Sequence, residues 1–353
     1  MSRTTRIPAS SGWRRTTAMV MAAAVLLAPV AVSSSASATA ATDGGPSMTH
    51  LVHFGSGLGS GSTIGPDGAL YVTDGTAGSV KRVDRHTGAV SVYATGLPPR
   101  VLGIGGAVDV AFLAGHGYAL VTMVGGDFIG GPHIGDAVVG IYRLDSGGHP
   151  SPIADIGAWS IAHPPTSGYR LTTGVQYAIA PYRGGFLVTD GHHNRVLQVT
   201  IEGAITEVAT FTNVVPTGLE VQGGRVWVAQ AGPVPHVAES GRILALDRGS
   251  EPQVVAQGAR LLVDVELGPQ HQLYALSQGV WDGVMEGSPA LPNTGRLTRV
   301  TSGGGLAPVT DEAGHQLVLD RPTRSSSSGE PRMSSASAAT STRSTVCSSQ
   351  TRG

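Results

Sequence analysis

Two carboxylates open the question of chemistry. Asp109 and Asp264 each sit inside an apolar run, Gly106-Ala107-Val108-Asp109-Val110 and Leu262-Val263-Asp264-Val265-Glu266. On separate strands around one channel they could share Ca²⁺ with loop carbonyls, because this hard cation takes six to eight oxygens. The competing role is architectural: each aspartate accepts from main-chain amides and ties neighbouring strands together. Thr63, Gln176 and Thr217 hold matching places in three other segments and complete a set of five channel-side candidates. His192-His193 follows a strand, and adjacent histidines there point different ways, so they are read as solvated turn residues rather than a metal pair. No Gly-Xaa-Ser-Xaa-Gly elbow is present, and Gly125-Gly126-Asp127 and Gly303-Gly304-Gly305 lack the strand-to-helix context of a phosphate loop. Nucleophilic and nucleotide chemistry are not expected.

The elements that must position these residues are short strands. Glycine supplies 51 of 353 residues and charged residues only 13%, while Val, Leu, Ala and Ile dominate the apolar set. That composition suits many strands joined by tight turns and is too patterned for a disordered chain. The formal net charge is −1 with no basic run, which excludes a phosphate backbone or an anionic membrane surface as partner. The sole cysteine is Cys347, so an intramolecular disulfide or a cysteine metal site is excluded.

Residues 1–40 read as a secretory signal peptide. Arg3, Arg6, Arg14 and Arg15 precede an apolar run from Ala18 to Val32, and Ala36-Ser37-Ala38 and Ala38-Thr39-Ala40 offer cleavage sites. The run is short for a hydrocarbon core of about 30 Å, which favours cleavage over anchoring. The mature protein is expected to be extracellular, free of the membrane and monomeric.

Five segments repeat one order: small-residue turn, alternating strand with an aromatic, polar turn, second strand, third strand. Their aromatics, Tyr71, Tyr118, Phe186, Trp227 and Tyr274, stand 47, 68, 41 and 47 residues apart. That period suits four-stranded propeller blades with one long insertion, whereas a two-sheet sandwich has no reason to repeat this order.

Gly65-Pro66-Asp67-Gly68 through Asp74, and Phe186 through Leu197, resemble NHL repeats. There Pro66-Asp67-Gly68 makes a tight hairpin, and Asp190 with Asn194 is expected to close the next turn through side-chain hydrogen bonds. Residues 48–323 more specifically resemble the ScyD/ScyE family of exported bacterial propellers, through Val215-Pro216-Thr217-Gly218-Leu219, Leu262 to Pro269, and Leu319-Asp320-Arg321-Pro322-Thr323. The resemblance implies an all-β, six-bladed β-propeller of the NHL/TolB-like kind, with no established reaction. Where family members read Asn-Pro-Tyr-Gly ahead of the third blade, this chain has Thr173-Gly174-Val175-Gln176-Tyr177-Ala178, so that channel position differs. Gluconolactonases of this fold use carboxylates and asparagine around one divalent ion. Asn194 and Asn213 miss the inner-strand positions that would supply it.

After Thr323 the chain turns to Ser, Thr, Ala and Arg without strand-like alternation, so residues 324–353 read as a disordered tail. A sixth aromatic strand is due near Gly329, which suggests translation in another reading frame. On that reading five blades are complete, the sixth is truncated, and the strand candidate Thr49 to Phe54 loses its partners. Function is expected on long loops of one face. Gly125 to Asp136 carries Asp127 and Asp136, and Gly279 to Thr294 carries Trp281, Asp282 and Glu286, both between second and third strands; Trp159 to Arg170 links blades two and three. The leading expectation is a non-enzymatic binding or scaffold propeller with a carbohydrate, cell-wall or protein partner. The alternative is a metal-assisted lactonase or lyase at the channel mouth.

Overall fold

The computed structural model describes residues 47–54, 61–101, 103–127, 132–144, 149–166, 171–247, 251–281, 290–291, 294–310, 316–319, 332–338 and 344–350. The expected signal segment 1–40 lies outside them, as do Asp282 and Glu286.

Strand β1 spans Ser47–Phe54. Blade one follows with β2 (Ser62–Ile64), β3 (Leu70–Asp74), β4 (Ser79–Val83) and β5 (Val90–Thr95). Blade two takes β6 (Gly106–Leu113) and β7 (His116–Thr122), a two-stranded ribbon of β8 (Gly125–Asp127) and β9 (His133–Asp136), then β10 (Gly140–Leu144) and β11 (Ser151–Asp155). Helix α1 (Ile156–Ala162) leads towards blade three, with Asp155 capping its first turn by accepting from the Ala158 amide. Blade three is β12 (Gln176–Tyr182), β13 (Gly185–Asp190), β14 (Arg195–Thr200) and β15 (Ile205–Thr210). Blade four is β16 (Val215–Gln222), β17 (Arg225–Gly232), β18 (Gly241–Leu246) and β19 (Gln253–Ala259), and blade five is β20 (Leu262–Leu267), β21 (Leu273–Ser277), β22 (Arg296–Val300) and β23 (Leu306–Thr310). Within each blade the strands pair antiparallel in chain order. The first strands of successive blades touch one another, β2 to β6, β6 to β12, β12 to β16 and β16 to β20, so they ring a common axis.

Local chemistry sets the hairpins. At Gly65-Pro66-Asp67-Gly68 the Gly68 amide donates to the Gly65 carbonyl at 2.9 Å, and Asp67 accepts from the Ala69 amide at 3.1 Å. Gly68 takes φ +74°, which only glycine adopts without strain. The Asp190 turn is wired differently from the expectation. Asn194 does sit in the left-handed region at φ 54°, but Asp190 caps nothing there; its carboxylate turns inward.

The cores lie between adjacent sheets. Tyr71 of blade one meets Phe112 of blade two edge-on at 4.7 Å, and Tyr118 of blade two meets Phe186 of blade three at 4.7 Å. Leu187 and Val196 pack on Leu219 and Val228 between blades three and four, and Trp227 and Ile243 pack on Leu262 and Val265 between four and five. The aromatics are therefore not equivalent. Tyr71, Tyr118 and Trp227 face the following blade, whereas Phe186 faces back to blade two. A shift of one residue moves a strand side chain to the other face, and the spacing does not reveal it.

A further four-stranded sheet has the order β1, β26 (Ser344–Gln350), β25 (Arg332–Ala338), β24 (Gln316–Leu319). Strand β24 touches both β20 and β2. Phe54 of β1 packs on Leu70, Val72 and Val83 of blade one. This corrects the expectation that nothing after Thr323 forms a strand and that β1 stands unpaired: Ser47 lies opposite Gln350 and Phe54 opposite Ser344. Ladder pairing is made by main-chain groups, so Ser, Thr and Ala can supply it without apolar alternation. Deleting residues 324–353 is expected to lower the melting temperature by several degrees, about 1–2 kcal/mol, and to reduce soluble yield. An unchanged thermal melt would show that β25 and β26 contribute nothing.

Candidate functional site

All five channel-side candidates lie on the first strands, and the side chains of Asp109, Gln176 and Thr217 reach neighbouring strands. Asp109 accepts from its own neighbour Val110 at 2.8 Å and, across to blade three, from the Ile179 amide at 2.8 Å. Asp264 repeats the first contact with Val265 at 2.9 Å. The partner positions are glycines: a Cβ on Gly61 would collide with Asp109, and one on Gly218 with Asp264. Thr217 lies 2.9 Å from the Leu262 carbonyl of blade five, and Thr189 donates to the Thr217 carbonyl at 2.7 Å. Thr63 is half-buried on β2. Glu266 joins this wall, where burial, then the charges of Asp264 and Asp109, hold its carboxyl well above the usual range. Among the described residues no three His, Cys, Asp or Glu side chains converge as metal ligands, and both Asp109 oxygens accept from main-chain amides.

Gln176 belongs to a buried hub. Its amide nitrogen donates to the Thr173 carbonyl at 3.0 Å and to Asp190 at 3.1 Å, while its oxygen accepts from Thr122 at 2.8 Å. The other Asp190 oxygen takes Arg195 Nε at 2.9 Å, with His193 Nδ1 at 3.0 Å. Arg195, only 1% exposed, also donates to Ser160 Oγ at 2.9 Å and to the His163 carbonyl at 2.8 Å. A serine, a histidine and an aspartate thus meet, yet not as a nucleophilic triad: His193 Nε2 is 2.6 Å from the Leu171 carbonyl, and Ser160 accepts from arginine. The expectation that both histidines are solvated is corrected, since His193 is buried and His192 half-buried.

The connections between second and third strands, and those between blades, emerge on one face, because a strand that ends on one side hands the chain to a partner beginning there. Two buried apolar clusters share Tyr177: Met123, Leu171 and Val175 form one, and Val215, Ala231 and Leu261 the other, against which Val234 and Trp281 are also half-buried. Tyr177 Oη lies 3.1 Å from His192 Nε2, and Trp281 meets His236 edge-on at 5.5 Å. Sequence reasoning missed Tyr177 and His236, although the departure at Gln176-Tyr177 was visible. Val101, Ile104, Ile161, Val237 and Leu291, all large exposed hydrophobics, stand on connections of this same face. At the ribbon tip His133 bridges the two predicted acids, with Nδ1 2.9 Å from Asp127 and Nε2 2.8 Å from Asp136. Those carboxylates raise its pKa, and the opposed ring nitrogens hold the acids apart.

No family profile and no curated protein matches the chain. Solved structures do. Gluconolactonase from Xanthomonas campestris is 12% identical, with 87% of this chain and 90% of that one covered at a TM-score of 0.56. Aldose sugar dehydrogenase from Streptomyces coelicolor, in its PQQ-bound form, is 16% identical over 88% and 100% at 0.52. A luciferin-regenerating enzyme is 8% identical over 88% and 96% at 0.55. The chain is a β-propeller. At these identities the likeness extends to the propeller fold alone.

Burial first, then the nearby His236, pushes the His192 pKa down to about 4 from an ordinary 6.5, against the pull of Asp190. The unfolded chain then binds more protons between those values, so the stability associated with neutral His192 is complete above pH 6.5 and is lost as pH falls towards 4. His192→Gln is expected to flatten stability over that window in urea melts at stepped pH. An identical pH slope in the variant would place the acid sensitivity elsewhere.

Proposed function

We propose that this protein is an exported, non-enzymatic binding propeller of the ScyD/ScyE type, six-bladed with the β1–β26–β25–β24 sheet as its last blade, that takes its ligand on the loop face at the channel mouth. The half-buried rings of Tyr177 and Trp281, set over the buried clusters of Met123, Leu171 and Val175 and of Val215, Ala231 and Leu261, support this reading, because they offer aromatic edges on a rigid base at the loop face. Tyr177 and Trp281 are the anchors, each pairing a flat ring with a polar tip. The probes are aromatic small molecules and cell-wall peptides, titrated against the tryptophan fluorescence of the full chain. Saturable quenching is expected, with Trp281→Ala and Tyr177→Ala each weakening it by roughly tenfold or more. Binding indifferent to both substitutions would defeat the proposal.

A second reading, metal-assisted lactonase or lyase chemistry, is favoured by one feature of the channel wall: the buried Glu266 carboxyl lies close enough to Asp264 and Asp109 for their charges to add to burial in raising its pKa. A divalent ion there would relieve their repulsion. Elemental analysis of the purified chain separates the two readings. A stoichiometric divalent ion that is lost in Asp264→Asn would support the enzyme, and metal-free protein would leave the binder.

A further inference from the structure

A second concavity lies at the rim of the disc. It is a cleft of about 540 Å³ between the segment leaving α1 and the outer part of blade three, walled by Trp159, His163, Pro165, Glu207, Thr210 and Phe211. That volume falls within the roughly 300–1,000 Å³ usual for small-molecule sites. Its floor is rigid, because the buried Arg195 beneath it is held by Asp190, Ser160 and the His163 carbonyl.

The walls have a definite chemistry. Arg195 lies 4.8 Å from the Trp159 ring centre, and the His163 ring stacks on Trp159 at 4.4 Å and 13°. His163 Nδ1 is 2.9 Å from the Trp159 carbonyl, which accepts only, so Nδ1 donates, and in this tautomer Nε2 is the ring's acceptor. The Glu207 carboxylate is 43% exposed and 3.6 Å from Arg195 Nη1, so its charge is answered locally while its oxygens still reach solvent. Flat ring and proline surfaces thus stand beside acceptors and the Thr210 hydroxyl. The Arg195–Glu207 pair leaves little net charge for either a cation or an anion to answer. A ring with apolar C–H faces and several O–H donors at its edges matches this set.

We propose that the Trp159–His163–Glu207 cleft is a binding site for a neutral saccharide ring, stacked on the His163 or Phe211 face with hydroxyls donating to Glu207 and His163 Nε2. It is separate from the mouth and does not depend on the reading given above.

The test titrates the full chain with glucose, N-acetylglucosamine and cellobiose, with spermidine and citrate as charged contrasts, by calorimetry and by NMR of the His163 imidazole. At least one sugar is expected to saturate with Kd of about 1 mM or tighter and to shift the His163 signals. His163→Ala, Phe211→Ala and Glu207→Gln are each expected to weaken it by roughly tenfold, and Trp281→Ala to leave it unchanged. The imidazole shift in the unaltered chain stands as the measurement should a variant fail to fold. No sugar binding, sugar binding that leaves the His163 signals unmoved, or spermidine or citrate occupying the cleft instead would overturn the proposal. Loss in Trp281→Ala would move the sugar to the mouth and overturn it equally.

Discussion

Side chains that reach from one blade to the main chain of the next are the constraint on which this ring depends. Asp109 accepts the Ile179 amide, Thr189 donates to the Thr217 carbonyl, and Thr217 reaches the Leu262 carbonyl. Each contact satisfies a main-chain group at the crowded inner edge, where leaving it bare would cost about 1–3 kcal/mol. Gly61 and Gly218 matter for the same reason: without a side chain there, the next blade's aspartate can come close. The apolar layers between sheets then lock the spacing that these contacts set.

Such wiring divides the molecule by role. The channel wall commits Asp109 to amides, and the remaining acid character is concentrated at Glu266, next to Asp264. The hub of Gln176, Asp190, His193 and Arg195 is likewise committed to holding blade three against α1 and the Leu171 segment. The residues proposed to meet ligands lie outward: Tyr177 and Trp281 on the loop face, and the cleft that rests on the hub. The same buried arginine thus serves the frame below and the cleft above.

Much of the frame is legible in the sequence because its signals are local. Period-two alternation, the Pro66-Asp67-Gly68 turn and the long connections at 125–136 and 279–294 identify strands, hairpins and loops without tertiary information. Facing is less legible: Phe186 occupies the repeat's aromatic slot yet points backwards, since one residue of register reverses a strand. Convergence is not legible at all. Asp190 reads as a turn residue, and only the fold brings Ser160, Gln176 and Arg195 to it. Tyr177, His192, His236 and Trp281 come from three blades, so no spacing links them. The strands at 332–338 and 344–350 escape notice because their pairing is a main-chain property that composition does not advertise.

The pairing of β1 with β26 sets an order of events during synthesis. Ser47 faces Gln350, about 300 residues later, so five blades are made before β1 meets its partner. Blades one to five are local meanders that can form as they emerge, whereas closure of the outer seam carries a long loop-closure cost and comes last. Until then Phe54 and its strand are an exposed edge, the species most vulnerable to wrong pairing with another copy. The seam therefore acts as a timer: β1 is paired only once residues 344–350 have been made.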